Sequence, residues 1–172
     1  SSDEFETLGD PVRVTLLDGY HVVNNDRVLQ LSTGRIIAPA VIHTEFDETG
    51  KKVIKGPVEE ADYSKFNLQG VPMIYYSDDN GRTWQKDNTV VIPASQRTIT
   101  DQENGVVELK DGRLWMYMRT AHSFQYGCYS TDGGLNWSQP KPTSLASPCS
   151  PATIERGSEG GRFGLRPDRP PS

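Results

Sequence analysis

Apolar residues in this chain come in short runs separated by Gly-centred polar turns, a pattern that predicts strands rather than helices. Two segments, Leu31-Ser32-Thr33-Gly34-Arg35-Ile36-Ile37 and Leu109-Lys110-Asp111-Gly112-Arg113-Leu114-Trp115, each set a turn between apolar stretches and read as hairpins. Downstream of each, one eight-residue pattern recurs: Ser77, Asp79, Gly81 and Trp84, then Ser130, Asp132, Gly134 and Trp137. Each copy follows a short apolar run and reads as strand, tight turn, strand, with Gly supplying positive φ. The Asp carboxylate has a turn role, accepting bare backbone N–H groups, and the Trp ring packs where the outgoing strand begins.

Joining the hairpin to the Ser-Asp-Gly-Trp turn predicts a four-stranded unit, present twice. The first unit's strands are Val22 to Leu31, Arg35 to His43, Val71 to Ser77 and Trp84 to Ile92; the second's are Gly105 to Leu109, Arg113 to Thr120, Phe124 to Ser130 and Asn136 to Pro140. The first unit is longer between its Gly and its Trp, which locates an insertion at about 45–70, a solvated loop with a helical turn near Glu59 to Phe66. Pro11 to Leu17 offers an outer strand to a preceding unit, and Ala146 to Glu155 opens a third. A repeat of roughly 50 residues built from four-stranded sheets is the signature of a β-propeller rather than a sandwich. The expected class is therefore all-β, a partial propeller over residues 1–156, followed by a Gly/Arg/Pro-rich disordered tail over 157–172.

Composition narrows the partners. Of 172 residues, 34% are hydrophobic and 24% charged, with 16 Gly and 12 Pro, which suits many turns. The net charge of -5 provides no basic stripe for nucleic acid. No apolar run is long enough to span a membrane. The opening at Ser1, without Met or a signal-like segment, reads as a processed product; a secreted or periplasmic address is favoured over a cytoplasmic one. Cys128 and Cys149 lack metal-ligand spacing and read as ordinary thiols, and His21, His43 and His122 are scattered, so neither metal nor organic cofactor is expected.

The doubled turn resembles the Asp box of the sialidase superfamily, where such hairpins sit at the outer ends of the blades of a six-bladed propeller. Glu103, followed by Val106-Val107-Glu108-Leu109, then Asp111-Gly112-Arg113-Leu114 and Arg119, is similar to the exo-α-sialidase segment that carries a catalytic Glu and one arginine of the carboxylate-binding triad. The resemblance implies a retaining hydrolase of terminal sialic acids. Glu103 would be the base activating a Tyr nucleophile that the matched segment does not hold, and Arg119 would clamp the substrate carboxylate. Such an enzyme uses Tyr because a carboxylate nucleophile would be repelled by the sugar's own carboxylate, an exception to the two-carboxylate scheme. Guanidinium suits the planar bidentate clamp better than an ammonium does.

The polar cluster Asn24, Asn25, Asp26 and Arg27 heads the first inner strand and would face the channel as substrate-binding residues, a placement that turn composition explains equally well. Gln125 and Tyr126 start a strand near the same rim and are further candidates for ligand contact. Asp79 and Asp132 have scaffold roles at the outer turns; Arg35 and Arg113 are hairpin residues, Glu108 is structural, and Trp84, Trp115 and Trp137 are core. The family's N-terminal Arg, acid/base Asp, third triad Arg and nucleophile have no counterpart motifs between Gly19 and Arg156. The remaining blades are therefore expected outside this chain, and the chain alone is expected to be inactive. Two alternatives stay open: a non-catalytic propeller that binds glycans or proteins, and a glycosidase of the same fold acting on another terminal sugar.

Overall fold

A computed structural model of the chain describes residues 7–24, 26–46, 52–53, 66–88 and 102–154. These form two antiparallel sheets packed face to face. The first contains β1 (Tyr20–Val22), β2 (Leu29–Gln30), β3 (Ile36–Phe46), β4 (Lys52–Val53), β5 (Phe66–Ser77) and β6 (Gln85–Lys86), in the order β1-β3-β5-β6, with β2 and β4 also on β3. The second contains β7 (Gln102–Glu108), β8 (Leu114–Arg119), β9 (Phe124–Ser130) and β10 (Lys141–Ala146), in the order β10-β9-β8-β7. Both hairpin turns form as read: Gly34 and Gly112 take φ of 91° and 81°, and the Leu31 and Leu109 amides close onto the Arg35 and Arg113 carbonyls at 2.8 Å.

The two Asp boxes are near copies. In the first, the Gly81 amide donates to Ser77 Oγ at 2.8 Å, the Thr83 amide donates to Asp79 Oδ1 at 2.8 Å, and Trp84 Nε1 donates to the Gly81 carbonyl at 3.1 Å. In the second, the Gly134 amide reaches Ser130 Oγ at 3.0 Å, the Asn136 amide reaches Asp132 Oδ1 at 2.9 Å, and Trp137 Nε1 reaches the Gly134 carbonyl at 3.0 Å. Each carboxylate thus satisfies donors that no strand reaches.

Side-chain alternation sets the core. Ile37, Ile74 and Tyr76 of the first sheet, with Leu31, meet Val106, Leu114, Met116, Met118, Tyr126 and Cys128 of the second. The opposite face of the first sheet carries Ala38, Ala40, Ile42, Met73 and Tyr75 and is covered by Val14 and Leu17. The opposite face of the second carries Val107, Trp115 and Tyr117, with Ile154 and Ala152 folded against part of it. Polar staples join the sheets, two of them near the hairpin turns. Glu108 accepts the Ser32 amide and hydroxyl at 2.8 and 2.5 Å. Arg35 forks onto Asp78 at 2.7 and 2.9 Å, lies over the Tyr76 ring at 4.4 Å, and donates to the Gly133 carbonyl of the second Asp box at 2.9 Å.

Several boundaries differ from the sequence reading. The first inner strand is split into β1 and β2 because Asp26, at φ 57°, takes the chain out of extended geometry. The second sheet's fourth strand is Lys141–Ala146, not Asn136 to Pro140. Ser138 closes that turn onto Tyr129, its amide donating to the Tyr129 carbonyl at 2.8 Å and its hydroxyl accepting from the Tyr129 amide at 3.0 Å, and pairing resumes at Lys141 opposite Gly127. Ala146 therefore ends this sheet instead of opening a third. Pro11 to Leu17 forms no strand. The insertion is flanked by strand: β3 and β5 pair past His43 and Gly70 to Glu45 opposite Phe66, so Phe66 is strand and not helical turn. Glu59 to Lys65 and the tail at 157–172 lie outside the described residues.

Candidate functional site

Register brings Glu103 and Arg119 to one end of the second sheet, away from the Asp boxes. Gln102 pairs with Arg119 and Gly105 with Tyr117, so two residues of β7 oppose Met118 alone. This is a β-bulge, a device that re-aims a side chain. Glu103 occupies it at φ 54°, a conformation rare for a residue with a Cβ. Its Oε2 accepts from Arg119 Nη1 at 3.0 Å, and both side chains are part-buried. The turn between β8 and β9 holds the same end: Thr120 Oγ1 donates to the Phe124 carbonyl at 2.7 Å. The β3–β5 connection, which carries the insertion, is the first sheet's counterpart of that turn and leaves at this end too.

A third group completes the cluster. After β10 the chain turns back, and Arg119 Nη2 reaches Cys149 Sγ at 3.6 Å, with Cys149 also in left-handed geometry at φ 56°. Burial disfavours the charge on Arg119, but the Cys149 sulfur and the Glu103 carboxylate outweigh it and raise the guanidinium pKa further above its ordinary value. Arg119 Nε is buried with no hydrogen-bond acceptor among the described residues, a desolvation cost the cluster carries. Clusters of strained non-glycine backbone at a polar rim are common at functional sites.

The other sequence candidates fall in different places. Gln125 is fully buried, and its Nε2 donates to Ser147 Oγ at 2.9 Å and to the Ser150 carbonyl at 3.0 Å. It braces the loop that presents Cys149 instead of facing the rim. Tyr126 is buried in the core between the sheets. Arg27 is turned inward: at 6% exposure it donates to the Tyr117 hydroxyl and, at 2.8 Å, to the Ala152 carbonyl, with the exposed Asp26 carboxylate 3.8 Å away. Asn25 lies outside the described residues. Cys149 gave no signal in the sequence, because its neighbours are Pro and Ser and its partner is 30 positions away. A cavity of about 280 Å³ between the sheets is lined by Asp26, Arg27, Glu108, Tyr117 and Ile154, among others, and Glu103 and Arg119 do not border it.

Among the described residues no three His, Cys, Asp or Glu side chains gather into a metal site, and no helix is long and apolar enough to cross a membrane.

The sequence profile of the BNR repeat-like domain matches residues 1–162. No curated protein matches the chain. Among solved structures, an intramolecular trans-sialidase from Ruminococcus gnavus with oseltamivir carboxylate is similar at 24% identity and a TM-score of 0.62, over 92% of this chain and 29% of that one. The leech intramolecular trans-sialidase, with 2,7-anhydro-Neu5Ac, is similar at 22% identity and a TM-score of 0.56, over 81% of this chain and 18% of that one. The NanB sialidase of Streptococcus pneumoniae is similar at 22% identity and a TM-score of 0.50, over 77% of this chain and 16% of that one. The chain spans less than a third of each of these proteins, and at these identities the likeness is one of fold.

Proposed function

Because the chain belongs to the BNR repeat-like domain family, we propose that its two sheets are blades of a six-bladed propeller and part of a retaining exo-α-sialidase-type glycoside hydrolase acting on terminal sialic acids. The observation that carries this reading is the Glu103–Arg119 pair, 3.0 Å apart on the bulged end of β7 and β8. The sugar's carboxylate sits on its anomeric carbon, so a neutral phenol is the suitable nucleophile. Glu103 takes the phenol's proton as the oxygen attacks. Arg119 pairs its guanidinium charge with the substrate carboxylate, while Nη1 keeps hold of Glu103 and fixes the distance between clamp and base. We assign the phenol, the acid for the leaving group and the other arginines to groups other than the described residues. Tyr117 is not that phenol, since its hydroxyl bonds Arg27 and the Ile154 amide.

The test is made in the polypeptide that completes the ring, with an aryl sialoside as substrate. Glu103→Gln should lower kcat/KM about 10²- to 10⁴-fold, the usual contribution of a positioned base. Arg119→Ala and Arg119→Lys should both lose substrate affinity, because an ammonium cannot form the fork. Unchanged turnover in Glu103→Gln and Arg119→Ala removes the assignment. A panel of neutral terminal glycosides separates sialic acid from other sugars, since these give Arg119 no anionic partner.

A further inference from the structure

Both terminal nitrogens of Arg119 are engaged, by acceptors of unequal strength. Nη1 donates to the Glu103 carboxylate at 3.0 Å, and Nη2 donates to Cys149 Sγ at 3.6 Å. A hydrogen bond between charged groups is roughly twice as strong as one between neutral groups, and sulfur is a weak acceptor. An anion that reaches the guanidinium therefore displaces the sulfur before it displaces Glu103. The backbone under Cys149 is tied down while its side chain is free to yield. The Ser147 amide donates to the Ser123 carbonyl at 2.8 Å, fixing the turn to the β8–β9 connection, and the Cys149 amide donates to the Ser147 carbonyl at 2.9 Å. Buried Gln125 holds Ser147 Oγ and the Ser150 carbonyl at 2.9 and 3.0 Å, and Ser147 Oγ donates to the same carbonyl at 2.9 Å. The thiol itself is exposed, so rotation about one side-chain bond carries it into water.

We propose that Cys149 is a positioning residue for the anion clamp: its sulfur holds Arg119 in the geometry that receives a carboxylate, then gives up Nη2 to that carboxylate when the substrate arrives. The inference rests on the hydrolase reading for the identity of the anion and adds how the clamp is kept ready. A guanidinium ordered in advance lowers the entropic cost of binding, and a weak acceptor takes little to displace. A carboxylate at position 149 would defeat the arrangement, since it would hold Nη2 with the same kind of bond that the substrate offers.

Two measurements test it, both with substitutions at an exposed side chain that folding does not depend on. On the full chain without substrate, NMR relaxation of the Arg119 Nε–Hε group reports how firmly the guanidinium is held. Its order parameter should be near the rigid value of about 0.85 in the parent and in Cys149→Ser, and should fall toward about 0.6 in Cys149→Ala. An order parameter unchanged in Cys149→Ala overturns the proposal, whatever the polypeptide hydrolyses. In the polypeptide that completes the ring, with the aryl sialoside, Cys149→Asp should raise KM about 10- to 100-fold, the usual effect of one charge-assisted hydrogen bond. kcat should stay nearly constant, because ground state and transition state lose the same contact. Cys149→Ala should raise KM about two- to tenfold, and Cys149→Ser should bring it back toward the parental value. A parental KM in Cys149→Asp, where Arg119→Ala raises it, overturns this inference and leaves the hydrolase reading standing. If the parent turns over no sialoside, the hydrolase reading falls and the order parameter alone decides the role of Cys149.

Discussion

Tyr117→Phe isolates the polar contact that ties the first sheet's inner strand to the segment folded under the second. The phenol is 2% exposed and accepts from two buried donors, Arg27 Nη1 and the Ile154 amide, the latter at 3.2 Å. Burial raises the Tyr117 pKa above its ordinary value of 10.0, so the group is a neutral hydroxyl at any pH of interest. Phe keeps the ring and its contact with Trp115, so no cavity term enters; the loss is that of two donors left without an acceptor. At ~1–3 kcal/mol for each unsatisfied buried group, less whatever relaxation recovers, the variant should lose about 3 kcal/mol. For a domain of this size that is a fall in Tm of roughly 6–12 °C. Removing the charge as well should restore stability, because Arg27→Met in the Phe background eliminates a buried guanidinium that has lost a partner. Urea unfolding of the parent, both single variants and the double variant gives the coupling, expected at about 1–3 kcal/mol. A Tyr117→Phe loss below about 0.5 kcal/mol, or an additive cycle, would refute the view that this contact holds the sheets together.

Two further predictions follow from the electrostatics. Asp79 is held at about 2 against an ordinary 3.8, chiefly by the Thr83 hydroxyl and amide, so its contribution to stability is present above pH 3.8 and is lost as pH falls through 2. The gap in urea midpoint between parent and Asp79→Asn should therefore be constant at neutral pH and shrink on acidification; a gap independent of pH would contradict the box hydrogen bonds. Burial pushes the Cys128 thiol up to about 12 while Cys149 is exposed, so a disulfide reagent at pH 8 should label one thiol in the native chain and both in denaturant. Rapid labelling of both would mean that the core between the sheets is open.

The parts of this protein that could be read directly from the chain are those whose partners are close in sequence. Ser77 and Asp79 organise donors within four positions, Ser130 and Asp132 do the same, and Gly34 and Gly112 adopt the φ that their turns require. The register between β7 and β8 also follows from one hairpin, which is why Glu103 and Arg119, 16 positions apart, could be placed together. Where side chains cross between elements, local pattern was silent. Arg27 reads as a rim residue until Ala152, 125 positions on, is seen to draw it inward; Gln125 reads as a contact group until Ser147 and Ser150 close over it. Arg35 reads as a turn residue, yet it joins two sheets through Gly133.

Short-range hydrogen bonding and the alternation of apolar positions were enough to determine the twin turns, the strands that flank them and the sheet class, because those depend on backbone geometry within a few residues. Which polar side chains point to the rim and which are buried as braces was decided only by the packing of one sheet on the other, since a buried donor takes whatever acceptor the distant chain brings within reach.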